Sequence, residues 1–246
     1  MPPHKIKTPS FLPSIFTSGN LFCGMLAVME AFRGNSYRGA WLIILAAFFD
    51  STDGMVARLT HQTSRFGVEL DSLSDMVSFV LAPVMLIYPL CLMDLNLAGV
   101  LAGFAFVVSG AIRLARFNVE QKNLLEKGGF IGLPTPAAGG AVAGYLIFSN
   151  YLQIDLVAPI LMPFFLALLA LLMVSPVEYP PFPKLASKSA RSYLIYSLLV
   201  LAMIGLVIRP QLVIFPVLFL YILSGLIRRL VVKITSKRNK AIIHSH

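Results

Sequence analysis

Carboxylates are concentrated in one short stretch of this chain, residues 50 to 75, where five of its 11 acidic residues lie. Asp50 and Asp53 are three residues apart, and Asp71 and Asp75 are four apart, so each pair lies on one face of a helix. The surrounding sequence is strongly apolar, and ionisable groups within apolar segments are costly. This spacing therefore indicates a functional site rather than a solvated surface.

The types of residue in this stretch are typical of a site for hard metal ions. Four clustered carboxylates cannot all stay ionised unless a cation neutralises them. Oxygen ligands without histidine or cysteine select Mg²⁺, Mn²⁺ or Ca²⁺ over Zn²⁺. In two-metal sites a pair of such ions stabilises both the attacking and the leaving oxygen of a phosphoryl displacement. Four carboxylates are enough to hold such a pair. Arg58, one helical turn from Asp53, is placed to bind a phosphate that bridges the ions.

The elements that must position these residues are membrane-spanning helices. The chain has 246 residues, of which 57% are hydrophobic and 13% charged, and its mean hydropathy is +0.81. A soluble domain of this length needs far more polar surface. Uncharged runs approach the roughly 20 residues that cross a bilayer as a helix, and they do not alternate as barrel strands do. The sequence predicts one all-α polytopic membrane domain over residues 1–246.

About eight transmembrane helices fit the apolar runs. They are placed near residues 11–32, 39–60, 67–92, 95–117, 135–151, 155–175, 190–208 and 211–232. With the N-terminus in the cytoplasm, 17 of the 20 lysines and arginines fall on the cytoplasmic side, which predicts that both termini are cytoplasmic. These basic loops explain the net charge of +9, so no nucleic-acid partner is expected. The basic tail, residues 228–246, is expected to lie on anionic lipid headgroups of the cell membrane.

The second and third spans are predicted to be antiparallel and joined by a turn near residues 60–65. At about 1.5 Å rise per residue, Asp50 and Asp75 each lie roughly 12 Å from the cytoplasmic end of their helix. Asp53 and Asp71 lie at roughly 7.5 and 6 Å from those ends. The four carboxylates are therefore expected to converge in one cavity that opens to the cytoplasm.

Small and polar residues near the aspartates have predicted supporting roles. Gly54 and Ala57 share the face of the first aspartate pair and leave space beside it for a bulky group. Ser74 and Ser78 lie near the face of the second pair and are expected to hydrogen-bond its carboxylates. Asn20, in the middle of the first span, needs a polar partner. Either a substrate headgroup or a carbonyl of a neighbouring helix would satisfy it.

A segment rich in Gly, Pro and Ala, residues 128–144, allows two interpretations. It is either a loop that enters the membrane or the small-residue face of a tightly packed helix. The sequence alone leaves both open, because small residues suit either arrangement.

A fixed pattern runs through the acidic stretch, and its positions are Asp50, Asp53, Gly54, Ala57, Arg58, Gly67, Asp71 and Asp75. This pattern is similar to the signature of the CDP-alcohol phosphatidyltransferases at every fixed position. The resemblance implies an integral membrane enzyme that displaces CMP from a CDP-linked lipid with an alcohol. It also implies a core of six helices around a two-metal site that opens to the cytoplasm, and a homodimer.

The resemblance implies a role for each position of the pattern. The metal ligands are Asp50, Asp53, Asp71 and Asp75. The general base is Asp75. The residues that contact the CDP-linked lipid are Gly54, Ala57, Arg58 and Gly67, with Asn20 as a further candidate. The implied cofactors are two divalent cations, Mg²⁺ or Mn²⁺.

Three further stretches resemble the phosphatidylserine synthase branch of this family: residues 18–28 (SGNLFCGMLAV), 111–119 (AIRLARFNV) and 132–140 (GLPTPAAGG). This branch implies CDP-diacylglycerol and L-serine as substrates. Arg113 and Arg116, with Asn118 close behind, are suited to bind the serine carboxylate. The alternative is that both arginines are topology anchors or contacts to lipid headgroups.

Other functions fit parts of the pattern. Glycerol 3-phosphate, inositol or inositol phosphate could replace serine, and an ether-linked lipid could replace the donor. A divalent-cation transporter would also concentrate carboxylates, but it needs acidic residues along a path through both leaflets. Only Glu30, Asp94 and Asp155 lie near the opposite surface, so the sequence favours group transfer.

Overall fold

Every secondary-structure element in the described part of the chain is helical. The computed structural model describes residues 11–59, 65–122, 132–153, 161–177, 179 and 203–243. The helices are α1 (Phe11–Phe32), α2 (Ser36–Leu59), α3 (Arg65–Asp75), α4 (Ala82–Ile87), α5 (Leu97–Lys122), α6 (Thr135–Leu152), α7 (Leu161–Val174) and α8 (Pro210–Ile243). This architecture confirms the predicted all-α class.

Five helical segments of the described chain are long and apolar enough to cross a membrane. They are Ser14–Phe32, Ser36–Val56, Phe66–Leu95, Leu97–Val119 and Pro210–Ile227. α7 is a shorter apolar helix of 14 residues, and α6, with 18 residues, is mostly buried. The predicted span at 190–208 lies mostly outside the described residues, although its residues 203–208 are helical. The polytopic class is therefore confirmed, while the total of eight spans stays a prediction.

The third span, Phe66–Leu95, is continuous but not uniformly α-helical. A π-helical segment, Met76–Leu81, joins α3 to α4. A second π-helical segment, Tyr88–Leu92, and a 3₁₀ turn, Met93–Leu95, complete the span. A π-helical turn accommodates an extra residue and is frequent at functional sites. The first of these segments begins directly after Asp75, the predicted general base.

α1 and α2 form a hairpin that is closed by a short turn. Gly34 adopts a φ of +75°, which glycine tolerates without strain, and its N–H donates to the Ala31 carbonyl at 3.1 Å. At the same turn Arg33 pairs with Glu30 at 2.7 Å. This hairpin brings α1 alongside the part of α2 that carries the aspartates.

The segment rich in Gly and Ala forms the buried helix α6, so over residues 135–144 the packed-helix interpretation is correct. An added Cβ at Gly139 would lie 2.7 Å from the Phe79 Cα, a distance that only the absence of a side chain permits. α1 approaches the preceding residue in the same way, because a Cβ at Gly24 would lie 2.8 Å from the Ser78 Cα. Glycines thus let α1 and α6 pack directly on the π-helical segment that follows Asp75.

Candidate active site

Three of the four predicted metal ligands meet in the structure. One carboxylate oxygen from each of Asp50, Asp71 and Asp75 lies within 4.8 Å of the other two. Asp71 and Asp75 are one turn apart on α3, and Asp50 reaches them from α2. The group, called here the aspartate cluster, could hold a metal ion. The shared helix faces and matched depths predicted a convergence of four carboxylates, and three of them meet here.

The chemistry of the aspartate cluster fits a hard divalent cation. Asp75 is only 6% exposed, and the Oδ1 of Asp71 is buried without a hydrogen-bond partner among the described residues. Like charges this close repel each other in a poorly solvated site, and a buried acceptor without a partner is costly. A cation between the three oxygens would remove the repulsion and satisfy the free acceptor.

Asp53, the fourth predicted ligand, contacts α1. Its side chain is 8% exposed, and its Oδ2 accepts a hydrogen bond of 2.5 Å from Thr17 Oγ1. The carboxylate lies within electrostatic range of Asp50 and Asp71 without being part of the aspartate cluster. Its role as a metal ligand stays a prediction.

Two uncharged donors hold the carboxylate of Asp75. Asn20 Nδ2 donates to its Oδ1 at 3.2 Å, and Thr135 Oγ1 donates to its Oδ2 at 3.4 Å. Neither donor is exposed to solvent. For Asn20 the sequence suggested a headgroup or a helix carbonyl as partner, and the structure shows a carboxylate as the partner of its Nδ2. The Oδ1 of Asn20 has no described partner, so its contact with the CDP-linked lipid stays a prediction.

Arg113 brings a positive charge to the aspartate cluster. Its Nη1 donates to Thr135 Oγ1 at 3.0 Å. Its guanidinium carbon lies 5.4 Å from the ring centroid of Phe117, a distance at which a cation is attracted to an aromatic face. Thr135 in turn bonds to Asp75, so the guanidinium lies one hydroxyl away from the aspartate cluster. This predicted acceptor residue is therefore connected to Asp75 through Thr135.

Arg116 and Asn118, the other predicted acceptor residues, make contacts that join helices. Arg116 Nη1 donates to the Val174 carbonyl at 3.5 Å, at the end of α7 where helix carbonyls lack partners. Asn118 accepts from Ser72 Oγ and donates to Glu69 Oε2, both at 2.9 Å. Within the described ranges neither side chain hydrogen-bonds to the aspartate cluster. Their roles in acceptor binding stay predictions.

Ser74 and Ser78 bond to α1 and not to the carboxylates, so that prediction was wrong. Ser74 Oγ donates to the Thr17 carbonyl at 3.1 Å, and Ser78 Oγ donates to the Asn20 carbonyl at 2.9 Å. Both serines are fully buried against α1, where backbone carbonyls are the nearest acceptors. These bonds fix α1 against the third span and thereby place Asn20 beside Asp75.

The residues predicted to contact the CDP-linked lipid are described in part. An added Cβ at Gly54 would meet no atom of the described residues within 4 Å, which is compatible with the space predicted beside the aspartates. Gly67 lies in α3 and is partly buried. The side chains of Ala57 and Arg58 lie outside the described residues. The binding roles of all four stay predictions.

The sequence analysis missed two threonines at the site. Thr17 bonds to Asp53, and Thr135 links Asp75 to Arg113. A lone threonine in an apolar span carries little signal, because its hydroxyl can bond to a carbonyl of its own helix. Thr135 carried a stronger signal, since it stands between two prolines where a helix begins, in the run GLPTP.

Comparison with known proteins identifies the family. Residues 10–175 match the family model described as CDP-alcohol phosphatidyltransferase. The chain belongs to the CDP-alcohol phosphatidyltransferase family. The matched range includes the aspartate cluster, Arg113 and Thr135, and it confirms the resemblance seen in the sequence.

Relatives of this CDP-alcohol phosphatidyltransferase are similar over most of its length. A Helicobacter pylori protein named CDP-diacylglycerol–serine O-phosphatidyltransferase is 36% identical over 233 residues, which are 93% of this chain and 96% of that protein. A Bacillus subtilis protein of the same name is 35% identical over 74% of this chain and 97% of its own length. An archaetidylserine synthase of Methanothermobacter thermautotrophicus is 34% identical over 72% of each chain. With its apolar helices, the chain is an integral membrane protein of this family.

Proposed function

We propose that this chain is a CDP-diacylglycerol–serine O-phosphatidyltransferase, which transfers the phosphatidyl group of CDP-diacylglycerol to L-serine and releases CMP. The observation that carries the proposal is the convergence of Asp50, Asp71 and Asp75. It occurs in a member of the CDP-alcohol phosphatidyltransferase family that aligns, over 93% of its length, with a relative of that name. Group transfer is therefore favoured over the divalent-cation transporter.

The proposed cofactors are two divalent cations, Mg²⁺ or Mn²⁺, and their proposed ligands are Asp50, Asp53, Asp71 and Asp75. When bound, such ions polarise phosphoryl oxygens and stabilise the charge that develops on the leaving group. Support comes from the cluster oxygens, which lie within 4.8 Å of one another, and from the Oδ1 of Asp71, which has no partner among the described residues. Asp53 is included because it lies one turn from Asp50 on the same helix.

Asp75 is the proposed general base. Its carboxylate takes the proton of the serine hydroxyl as that oxygen attacks the phosphorus that carries the diacylglycerol. A new O–P bond forms, the bond from this phosphorus to the bridging oxygen of CMP breaks, and CMP leaves with the bonding electron pair. Asn20 and Thr135 hold the two oxygens of Asp75 at 3.2 and 3.4 Å, so the base is oriented before the substrates arrive.

The substrates are proposed to bind on either side of the aspartate cluster. The pocket for cytidine diphosphate is assigned to Gly54, Ala57, Arg58 and Gly67, and the open space at Gly54 supports this. Arg113 is proposed to bind the serine carboxylate, because its planar guanidinium suits a carboxylate and lies within range of the cluster. Further candidates for the acceptor pocket are Arg116 and Asn118.

We place the active site and both termini on the cytoplasmic side, and we treat residues 1–246 as one catalytic domain that forms a homodimer. The aspartates lie near the end of α2 and in α3, next to residues 60–64, on the side to which 17 of the 20 basic residues are assigned. Serine and CMP are water-soluble, so the cavity must open to water. The acyl chains of the donor stay in lipid while its headgroup reaches the aspartates.

An ether-linked donor is a second candidate with specific support, because the relative from Methanothermobacter thermautotrophicus is named archaetidylserine synthase. The acceptor and the bonds made and broken are the same in both reactions. Only the lipid that remains outside the aspartate cluster differs.

CMP release by the purified protein tests the proposal. CDP-diacylglycerol and its ether-linked analogue are each offered with serine, glycerol 3-phosphate, inositol and inositol phosphate, in Mg²⁺, Mn²⁺ or EDTA. We expect CMP and phosphatidylserine with serine, and no product in EDTA. Release with another acceptor but not with serine would overturn the acceptor assignment. Release that EDTA leaves unchanged would overturn the metal assignment.

A further inference from the structure

Thr135 connects the basic and the acidic parts of the site. Its hydroxyl accepts a hydrogen bond from Arg113 Nη1 at 3.0 Å and donates one to Asp75 Oδ2 at 3.4 Å. A hydroxyl has one proton and two lone pairs, so it makes both bonds at once. A guanidinium has no acceptor, so the direction of the chain from Arg113 through Thr135 to Asp75 is fixed.

This arrangement keeps two opposite charges apart in a poorly solvated place. Thr135 is 0% exposed and Asp75 is 6% exposed. Asp75 and Arg113 both hydrogen-bond to the hydroxyl of Thr135, yet no direct ion pair joins the two in the described structure. Attraction between opposite charges is strong where water is excluded. The hydroxyl of Thr135 and the ring of Phe117, 5.4 Å from the guanidinium, hold Arg113 in place against that attraction.

The backbone before Thr135 is anchored to the end of α7. Gly132, with a φ of +90°, donates its N–H to the Val177 carbonyl at 2.8 Å. Leu133 donates its N–H to the Leu172 carbonyl at 3.0 Å. Prolines on both sides of Thr135 restrict the backbone further. The hydroxyl is therefore presented from a fixed point at the start of α6.

We propose that Thr135 is a positioning residue that prevents a direct ion pair between Arg113 and Asp75. This inference rests on the proposed function and deepens it. The carboxylate of Asp75 stays free to bind a cation and to take a proton, while the guanidinium stays free to bind the carboxylate of an amino-acid acceptor. Without the hydroxyl, Arg113 moves onto Asp75 and the two groups neutralise each other.

Cation binding by the purified protein without substrates tests this separation. Thr135→Val removes the hydroxyl and keeps the shape, whereas Thr135→Ser keeps the hydroxyl. A double variant adds Arg113→Gln to Thr135→Val and so removes the competing charge. We expect the Mn²⁺ affinity, measured from the electron paramagnetic resonance signal of free Mn²⁺, to fall at least about fivefold in Thr135→Val only. Thr135→Ser is expected to stay within about twofold of wild type, and the double variant is expected to bind Mn²⁺ at least as tightly as wild type, because a positive charge beside the cluster is gone.

Several results of this experiment would overturn the inference. One is an equal Mn²⁺ affinity for Thr135→Val and wild type. Another is a double variant that binds no better than Thr135→Val, because the loss would then not come from Arg113. A wild-type protein that binds no Mn²⁺ would overturn it as well. A further outcome is that the wild-type protein releases no CMP with serine while the variants still show the expected differences in Mn²⁺ affinity. That result would support the inference about Thr135 and count against the proposed function alone.

Steady-state kinetics gives a second readout. In Thr135→Val we expect the KM for serine to rise at least about tenfold, because Arg113 no longer faces the acceptor, and kcat to fall. At saturating Mn²⁺ the KM for CDP-diacylglycerol is expected to change less than about twofold, and Thr135→Ser is expected to resemble wild type. A parallel rise of both KM values, with Thr135→Ser as impaired as Thr135→Val, would indicate a merely structural residue and overturn the inference.

Discussion

The hydroxyl of Thr17 on α1 lies 2.5 Å from the Oδ2 of Asp53 on α2 and donates a hydrogen bond to it. Three residues further along α1, Asn20 donates to Asp75 at 3.2 Å. α1 therefore contacts one aspartate from each of the two helices that carry the signature, although it carries none of them itself. The positions of the signature aspartates therefore depend on α1 as well as on α2 and α3.

Asp75→Asn is expected to lower the turnover number at least about 100-fold, the scale of general base catalysis, because an amide cannot take the serine proton. Binding of the CDP-linked lipid is expected to remain, since size and shape are kept. CMP release at saturating substrate checks the first expectation, and binding of the donor checks the second. Asp94→Asn, an exposed position at the other end of the third span, is the matched control and is expected to leave turnover unchanged. Normal turnover by Asp75→Asn would contradict the assignment of the base.

Arg113→Ala is expected to raise the KM for serine at least about tenfold, because the serine carboxylate loses a charged hydrogen-bond donor. The effect on the KM for CDP-diacylglycerol is expected to be smaller. Arg116→Ala is the comparison, since Arg116 donates to the Val174 carbonyl at the end of α7. Its main expected effect is a lower Tm, with a smaller effect on serine. Equal increases in the KM for serine in both variants would show that the two arginines share the role.

Divalent cations are expected to raise the Tm of the purified protein, because they bind the folded aspartate cluster and not the unfolded chain. An ion at 100 times its Kd adds about 2.7 kcal/mol to the free energy of unfolding. Asp71→Asn is expected to lose most of the cation-induced increase in Tm. Without cations this variant is expected to be at least as stable as wild type, because one of three mutually repelling charges is gone. Thermal unfolding with EDTA, Mg²⁺ and Mn²⁺ checks both. An undiminished increase in Asp71→Asn would remove that residue from the ligand set.

Gly139→Ala is expected to destabilise the fold by about 1–3 kcal/mol, because the new methyl group collides with the backbone of Phe79 and both backbones must move apart. Gly54→Ala is the matched control, because a Cβ at Gly54 contacts no described atom within 4 Å. The Tm of this variant is expected to stay at or above that of wild type, since alanine favours the helix. Its expected defect is a higher KM for CDP-diacylglycerol. A Tm for Gly139→Ala equal to that of Gly54→Ala would contradict the close packing of α6 on the third span.

The aspartate cluster could be predicted because its two determinants are local. Helical periodicity aligns Asp71 with Asp75, and the count of residues from a shared turn sets the depth of Asp50. The partners of Asn20, Ser74 and Ser78, and the contact of Thr135 with Asp75, could not be predicted in this way, because the bonded residues lie 55 to 60 positions apart in sequence. Those contacts depend on how each helix is rotated about its axis, and the π-helical segment after Asp75 changes that rotation without a signal in composition.

The packing of α6 illustrates the same limit. Its glycines and alanines suited a loop or a helix equally, since small residues permit both tight turns and close helix contacts. The contact that decides between them is the approach of Gly139 to Phe79, which lies on another span.

The π-helical segment Met76–Leu81 also governs how this span can evolve. It lies between α3, which bears Asp71 and Asp75, and the remainder of the span, so the two parts follow separate helical phases. A change of side-chain volume in α4 or later in the span can rotate that part of the helix about its axis. The extra residue of the π-helical turn takes up the rotation, so α3 need not rotate with it. The distal part, whose Leu86, Ile87 and Leu92 are fully buried, can thus settle against its neighbouring helices without displacing the two carboxylates.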